Sequence, residues 1–339
     1  MRDFLEKNKL MWFACFFGIF LAGFLLVLLW ANLNNENFGK AEKSSVENEK
    51  QTLPKNNTER LEGNKASLIF VGDLMTDRYI RSIVERKGFD YLLDDKLSEL
   101  LNESDCAIAN LEGPITDFNS RSQNSQEGSQ DNFYFTMPSD TTGFLNNNNF
   151  CLVNLGNNHI LNFGEEGLGQ TKDKLKNSKI DFFGAQDQEG SNFAEKNLKG
   201  VKIAFVGYNQ FSPSLKKEKT LDKIKKASRE NDFTVVYAHW GEEYEEKSGI
   251  NQRSLGRDFV DAGADLVIGS HPHVIQEMET YKGSRIYYSL GNFVFDQYFS
   301  EETKEGLMVE VIFDKKSENL KFEEIKVKIN PSGKTELEN

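Results

Sequence analysis

The sequence predicts an α/β domain built on a buried, largely parallel sheet and carried behind one N-terminal transmembrane helix. Three observations lead there. Short apolar runs alternate with longer amphipathic stretches, which is the pattern of βαβ units joined by right-handed crossovers. An uncharged apolar run of 21 residues, Leu10 to Trp30, stands near the N-terminus. All four histidines, His159, His239, His271 and His273, lie just past apolar runs, where strands would end.

Taken in order, the run LMWFACFFGIFLAGFLLVLLW is long enough to cross a hydrocarbon core of roughly 30 Å at about 1.5 Å per residue. Trp12 and Trp30 fall at its two interfaces, where amphipathic rings prefer to sit. Arg2, Lys7 and Lys9 precede it and Ala31 to Gly39 offers no Lys or Arg, so the positive-inside bias leaves the N-terminus cytoplasmic and the remainder extracytoplasmic. A cleaved signal peptide is the competing reading. The run is longer than an ordinary signal core, and no small-x-small site closes it. The organisation expected is a cytoplasmic segment (1–9), an anchor in the lipid bilayer (10–33), a polar linker (34–64), one domain (65–330) and a tail (331–339). The linker, rich in Asn, Glu, Lys and Ser, has too little apolar surface to order itself.

Within the domain the runs Ser67 to Val71, Cys106 to Ala109, Phe150 to Leu155, Val201 to Val206, Phe233 to Ala238 and Leu266 to Ile268 read as strands. Helices are expected around Arg78 to Leu101, Leu168 to Asn177, Leu215 to Glu230 and Ser254 to Ala262. Phe118 to Asn132, full of Ser, Gln, Asn and Gly, reads as an exposed inserted loop rather than a lid, followed by a short strand at Phe133 to Thr136. Met278 to Leu290 and Leu307 to Ile329 alternate with turn signals and read as antiparallel hairpins.

Two cysteines lie outside the apolar N-terminal run, Cys106 and Cys151, both in apolar runs, and are expected as buried free thiols rather than a bridge. The net charge of −12 argues against nucleic acid and against anionic headgroups as general partners.

The strand ends carry the chemistry, since ligands of open α/β sheets bind outside the carboxyl ends of the strands. Those ends are Gly72-Asp73, Asn110-Leu111-Glu112-Gly113-Pro114, Gly156-Asn157-Asn158-His159, His239-Trp240-Gly241 and His271-Pro272-His273. A lone histidine past an apolar run is more often a packed residue than a ligand. Four in one topological position, with carboxylates and an amide beside them, form the donor set of a divalent transition metal such as Zn, Mn or Fe, as one or two ions.

The ordered motifs Gly72-Asp73-Leu74-Met75, Asn110-Leu111-Glu112-Gly113-Pro114, Asn157-Asn158-His159, His239-Trp240-Gly241-Glu242-Glu243-Tyr244, Gly269-Ser270-His271-Pro272-His273-Val274 and Ser289-Leu290-Gly291-Asn292-Phe293-Val294-Phe295-Asp296-Gln297 resemble the CapA family of capsule and poly-γ-glutamate synthesis proteins. That family is similar in turn to calcineurin-like metallophosphoesterases, which implies a four-layer α/β/β/α sandwich. Carried over by position, the resemblance implies Asp73 as first-site carboxylate and Glu112 as bridging carboxylate. Asn158, His239 and His271 become second-site ligands, and His273 returns to the first site. His159 takes the place of the catalytic histidine that protonates a leaving group or steadies transition-state charge. One departure stands out. Met75 occupies the place where phosphoesterases carry a further first-site histidine, so that site loses a ligand.

Three residues offer contacts to substrate: Arg78, as an anion partner or else a solvated helix-start residue, and Glu243 and Tyr244, as crevice wall or else an exposed acidic loop. Asn292, Asp296 and Gln297 either orient the imidazoles or bond locally within a turn. The function expected is the synthesis, export or surface attachment of an anionic polymer such as poly-γ-glutamate, in company with membrane-bound synthase and export subunits. The alternatives are a membrane-anchored metal-dependent phosphoesterase and a non-catalytic subunit that binds polymer or synthase.

Overall fold

The structure, a computed structural model, describes residues 63–185, 192–212 and 217–338. The expected cytoplasmic segment and transmembrane helix, and nearly all of the linker, lie outside these residues. Among the described residues no helix is long and apolar enough to cross a membrane.

Strand β1 (Lys65–Leu74) is apolar along its whole length because both of its faces are covered. Leu68 and Phe70 face a core between two sheets, whereas Ile69 and Val71 face helices. Helix α1 (Arg78–Lys87) follows, then α2 (Asp95–Glu103), β2 (Cys106–Leu111), α3 (Thr141–Asn147), β3 (Phe150–Asn154), α4 (Gly164–Asn177) and β4 (Asp181–Phe183). The single helix expected over Arg78 to Leu101 is broken at Gly88, whose φ of 82° is outside the helical range. Asp94 restarts it, its carboxylate accepting from the Leu97 N–H at 2.6 Å.

The second half comprises β5 (Phe193–Leu198), β6 (Val201–Asn209), α5 (Lys217–Glu230), β7 (Phe233–His239), α6 (Ile250–Asp261), β8 (Leu266–Ser270), β9 (Met278–Tyr281), β10 (Ser284–Tyr287), β11 (Asn292–Val294), β12 (Glu305–Asp314), β13 (Asn319–Ile329) and β14 (Thr335–Leu337). An eight-stranded sheet runs β14-β13-β12-β1-β2-β3-β4 with β11 beside the end of β1, and a six-stranded sheet runs β5-β6-β7-β8-β10-β9. The first sheet is parallel from β1 through β4 and antiparallel on its β12-β13-β14 side, and the second has a parallel centre with antiparallel β5 and β9 at its edges, so the expected hairpins at the end of the domain are present.

Three apolar cores separate the layers. One lies between α1 to α4 and the first sheet, one between the sheets, and one between the second sheet and α5 and α6. The architecture is therefore an α/β/β/α sandwich, with alternate residues of each central strand feeding different cores.

Several expectations are corrected. Cys106 and Cys151 are not free thiols but a disulfide, with Cα atoms 5.4 Å apart. A bulge between β2 and β3 makes this possible: the register passes from Ala107 opposite Phe150 to Ile108 opposite Leu152, leaving Cys151 as the extra residue beside Cys106. The expected tail is part of the first sheet, as β14 pairs with β13 and Thr335 is fully buried. Phe133 to Thr136 is not a strand; Gln130–Phe133 is a 3₁₀ turn, and Met137 makes an isolated bridge with Ile115. The loop before it is more than an insertion. Its Ser122 is buried and donates to Asp77 at 2.7 Å, and Phe118 stacks on Phe163.

Candidate metal centre

The parallel strands of both sheets end on the same side, and their ends deliver the side chains. Asp73 comes from β1, Glu112 follows β2, Asn157 to His159 follow β3, His239 ends β7, and His271 to His273 follow β8. Close backbone approach is a condition for this. A Cβ on Gly72 would lie 1.9 Å from the Gly291 carbonyl oxygen, so only glycine lets β11 run alongside Asp73. The Asp73 N–H donates to that same carbonyl at 3.0 Å. His271 and His273 both take positive φ, 99° and 58°, which turns the backbone sharply enough to aim both rings inward.

Asp73 accepts from Asn110 Nδ2 at 2.7 Å and from the His271 N–H at 3.2 Å, and its Oδ2 lies 3.4 Å from His273 Nδ1. Burial raises its carboxyl to about 7. Glu112 is completely buried, and no N–H or hydroxyl reaches its oxygens; the one group that can share a proton with it is the Asp73 carboxyl. Its Oε1 stands 3.5 Å from His273 Nε2 and 3.8 Å from His159 Nε2. Burial, then the negative charge of Asp73, hold it well above the usual carboxylate range.

The tautomers follow from the surroundings. Asn292 uses its amide nitrogen on the carbonyls of His273 and Thr303 and on Gln297 Oε1, which leaves its oxygen to accept from His273 Nδ1 at 2.9 Å. The His273 Nε2 lone pair then faces Glu112. Asn162 Oδ1 accepts from the Phe135 N–H at 2.8 Å and lies 3.2 Å from His159 Nδ1, so His159 likewise carries its proton on Nδ1 and presents a bare Nε2 to the crevice. Burial lowers the His159 and His271 imidazoles to about 4, keeping them neutral. His239 Nε2 lies 2.9 Å from Asn158 Oδ1, and His271 Nδ1 is buried without a partner.

Glu112 Oε1 and the Nε2 atoms of His273 and His159 thus converge among neutral imidazoles and carboxyls whose ionisation burial opposes. A cation in their midst would favour the ionised carboxylates and take up the imidazole lone pairs, so the donor set fits a divalent metal. Among the described residues two groups bring their ligand atoms within 4.8 Å of one another: Asp73, Glu112 and His239, and Glu243, His271 and His273.

The other expected residues fall on the rim. Arg78 is buried, pairs with Asp296 and packs its guanidinium over the rings of Phe135 and Phe295. Asp296 therefore does neither of the two things expected of it: it pairs with Arg78 and accepts from the Tyr79 N–H, whereas Asn292 does hold His273. Tyr244 stacks beside His273, and its hydroxyl accepts from Gln297 Nε2 at 3.1 Å. Arg78, Tyr244, Asp296, Tyr298 and Phe299 line a cavity of about 610 Å³ that also includes Asn132 and Phe133 of the loop before α3. Asn110 and Asn162 were given no role by the sequence. Asn110 sits inside a motif, two residues before Glu112, which was the available signal; Asn162 offered none.

The family model for "Bacterial capsule synthesis protein PGA_cap" matches residues 67–297, a span that contains every ligand candidate above. The chain belongs to this family. As a PGA_cap member it is 32% identical over 268 residues to "Capsule biosynthesis protein CapA" of Bacillus anthracis, covering 74% of this chain and 64% of that protein. It is also 32% identical over 260 residues to "PGA biosynthesis protein CapA" of Bacillus subtilis, covering 72% and 67%. The PGA_cap chain thus spans about two thirds of the length of these curated relatives. Similar solved structures include a novel phosphatase of Mycoplasma pneumoniae, with TM-score 0.49 and 16% identity over 79% of this chain and 95% of that one. A hypothetical protein of Thermus thermophilus aligns with TM-score 0.48 and 15% identity over 76% and 98%.

Proposed function

We propose that this PGA_cap protein serves the synthesis, export or surface attachment of an anionic capsular polymer, poly-γ-glutamate being the first choice, through a divalent-metal crevice on a membrane-anchored extracytoplasmic domain. The observation that carries the reading is Glu112: a fully buried carboxyl reached by no N–H or hydroxyl, set against the Asp73 carboxyl and the imidazoles of His273 and His159, in a chain of a capsule-synthesis family. The printed names of the two Bacillus relatives supply the polymer class. The Cys106–Cys151 disulfide supports the extracytoplasmic side, because such bonds persist in oxidising compartments.

Asp73, Glu112, Asn158, His239, His271 and His273 would hold one or two ions of Mn, Zn or Fe. When bound, such an ion acts as a Lewis acid toward a carboxylate, amide or phosphoryl oxygen. The protein's own groups do the rest. Arg78 places a buried positive charge at the rim, where an anionic chain would enter, and Asp296 fixes its direction. His159, neutral and bare at Nε2, accepts a proton rather than giving one, so the donor role expected from the resemblance becomes that of a base unless a proton arrives first. Phe135, whose ring centre lies 4.2 Å from that of His159, keeps water from its face.

The test is metal content and polymer output together. The purified full chain should carry one or two equivalents of a transition metal, lost in His239→Ala and His271→Ala. Cells expressing those variants and His159→Ala should lose surface polymer. Metal-free protein after reconstitution would overturn the crevice. Unchanged polymer output from metal-free variants would leave the non-catalytic binding subunit as the reading.

The second reading, a phosphoesterase, is favoured by one observation only, the shared donor set. Hydrolysis of a simple phosphodiester that disappears in Asn158→Ala would support it.

A further inference from the structure

We propose that Glu243 is a metal ligand of this crevice, joining His271 and His273 on one ion by a carboxylate from the second sheet and so making up the ligand count that Met75 lowers. This rests on the metal-crevice reading above and goes beyond it by reassigning a residue expected to touch substrate.

Met75 is not available to the metal. Its side chain is fully buried in a small apolar cluster with Phe135 and Phe295, and its sulfur accepts from the Asp77 N–H at 2.9 Å. Glu243 approaches the same region from the other side. A carboxylate oxygen of Glu243 and ring nitrogens of His271 and His273 lie within 4.8 Å of one another, close enough for one ion to gather them. Its negative charge also acts on both Asp73 and Glu112, which locates it over the same crevice.

The backbone on both sides of Glu243 is tied to the histidine segment. The Trp240 N–H donates to the Ser270 carbonyl at 3.1 Å, and the Tyr244 N–H donates to the Pro272 carbonyl at 2.8 Å. Gly241 and Tyr244 take positive φ, 92° and 67°, the cost of folding this loop back over the crevice. An exposed acidic loop with no task needs neither tie. The buried atoms that no N–H or hydroxyl reaches, both Glu112 oxygens and His271 Nδ1, independently mark where a cation would sit.

The exchange has a chemical consequence. Replacing an imidazole by a carboxylate makes the donor set richer in oxygen, which suits manganese better than zinc. Because Glu243 is exposed, it also ligates from the mouth of the crevice, where an incoming carboxylate or phosphoryl oxygen would compete with it.

The experiment is manganese titration of the full chain in detergent micelles, followed by the electron paramagnetic resonance of free Mn(II), for wild type, Glu243→Gln, Glu243→His and Asn158→Ala. Two equivalents are expected in wild type. In Glu243→Gln one of them should weaken by roughly tenfold to a hundredfold or more, in the range found when the surroundings of a metal ligand are cut. Asn158→Ala should weaken the other. Glu243→His should restore the lost site and move its preference toward zinc. Two unchanged equivalents in Glu243→Gln would overturn the assignment while leaving the crevice in place, and so would normal metal affinity with only polymer binding impaired. A wild type that binds no metal would remove the crevice and this assignment together.

Discussion

Replacing Asn110 by alanine tests how the metal centre is held before any ion arrives. Asn110 is completely buried. Its amide nitrogen donates to Asp73 at 2.7 Å and lies 3.3 Å from His239 Nδ1, while its oxygen accepts from Asn154 at 3.0 Å and from Asn157 at 3.3 Å. Asn110→Ala removes the side-chain donor to Asp73 and the acceptor for the Asn154 amide. Each buried polar group stripped of a partner costs about 1–3 kcal/mol, more if charged, so the metal-free protein should lose roughly 2–5 kcal/mol. Urea unfolding of the full chain in micelles, followed by circular dichroism with chelator present, measures this as a fall in midpoint at constant slope. Metal affinity should fall as well, since Asp73 and His239 lose a shared anchor. Asn110→Asp provides the contrast: it keeps the acceptor for Asn154 but sets a second carboxylate against Asp73, so its deficit should be larger at pH 8 than at pH 5. A loss under about 1 kcal/mol in Asn110→Ala, with metal affinity intact, would refute the claim that this amide organises the site.

Metal affinity should rise with pH up to about 7, because Asp73 titrates near there and Glu112 is shifted upward too, so protons must leave as the metal enters. The same shift has a stability sign: the Asp73 contribution is fully present below the unfolded value of 3.8 and is lost as pH rises through about 7. Calorimetry in buffers of different ionisation enthalpy reads the released proton, and buffer-independent heats at pH 6 would contradict it. Glu112→Gln should abolish metal binding and raise the urea midpoint of the metal-free protein more at high pH than at pH 5, because it removes a buried carboxyl whose ionisation burial opposes; a midpoint change independent of pH would count against that account. Cys106→Ser, or reduction, opens a link between residues separated by 45 positions and should cost about 4 kcal/mol on the chain-entropy estimate, visible as a reductant-dependent melting temperature. Gly72→Ala should eliminate the metal site through backbone displacement alone, since its Cβ would meet the Gly291 carbonyl at 1.9 Å; normal metal content would show that β11 can give way.

The α/β class, the central parallel strands and the list of ligand candidates were all legible in the order of amino acids. The reason is local: strands covered on both faces read as continuous apolar runs, and the residues past them end up on one side of the sheets whatever the loops do. Asp73, Glu112, Asn158, His239, His271 and His273 were legible for that reason. Short outer strands were not. β4, β5 and β14 are three to six residues long and half exposed, so they carry no periodic signal and form only because a neighbouring edge accepts them. Contacts across long separations were equally hidden. Cys106 and Cys151 read as separate buried thiols until the bulge in β3 set one beside the other, and Asp296 could be given to Arg78 only once β11 lay alongside β1. The same holds for Glu243: one glutamate in an acidic loop looks like its neighbours Glu242 and Glu245. Its place over the histidines was decided by the second sheet, whose β7 and β8 are adjacent and parallel, so that the loop after one folds onto the loop after the other.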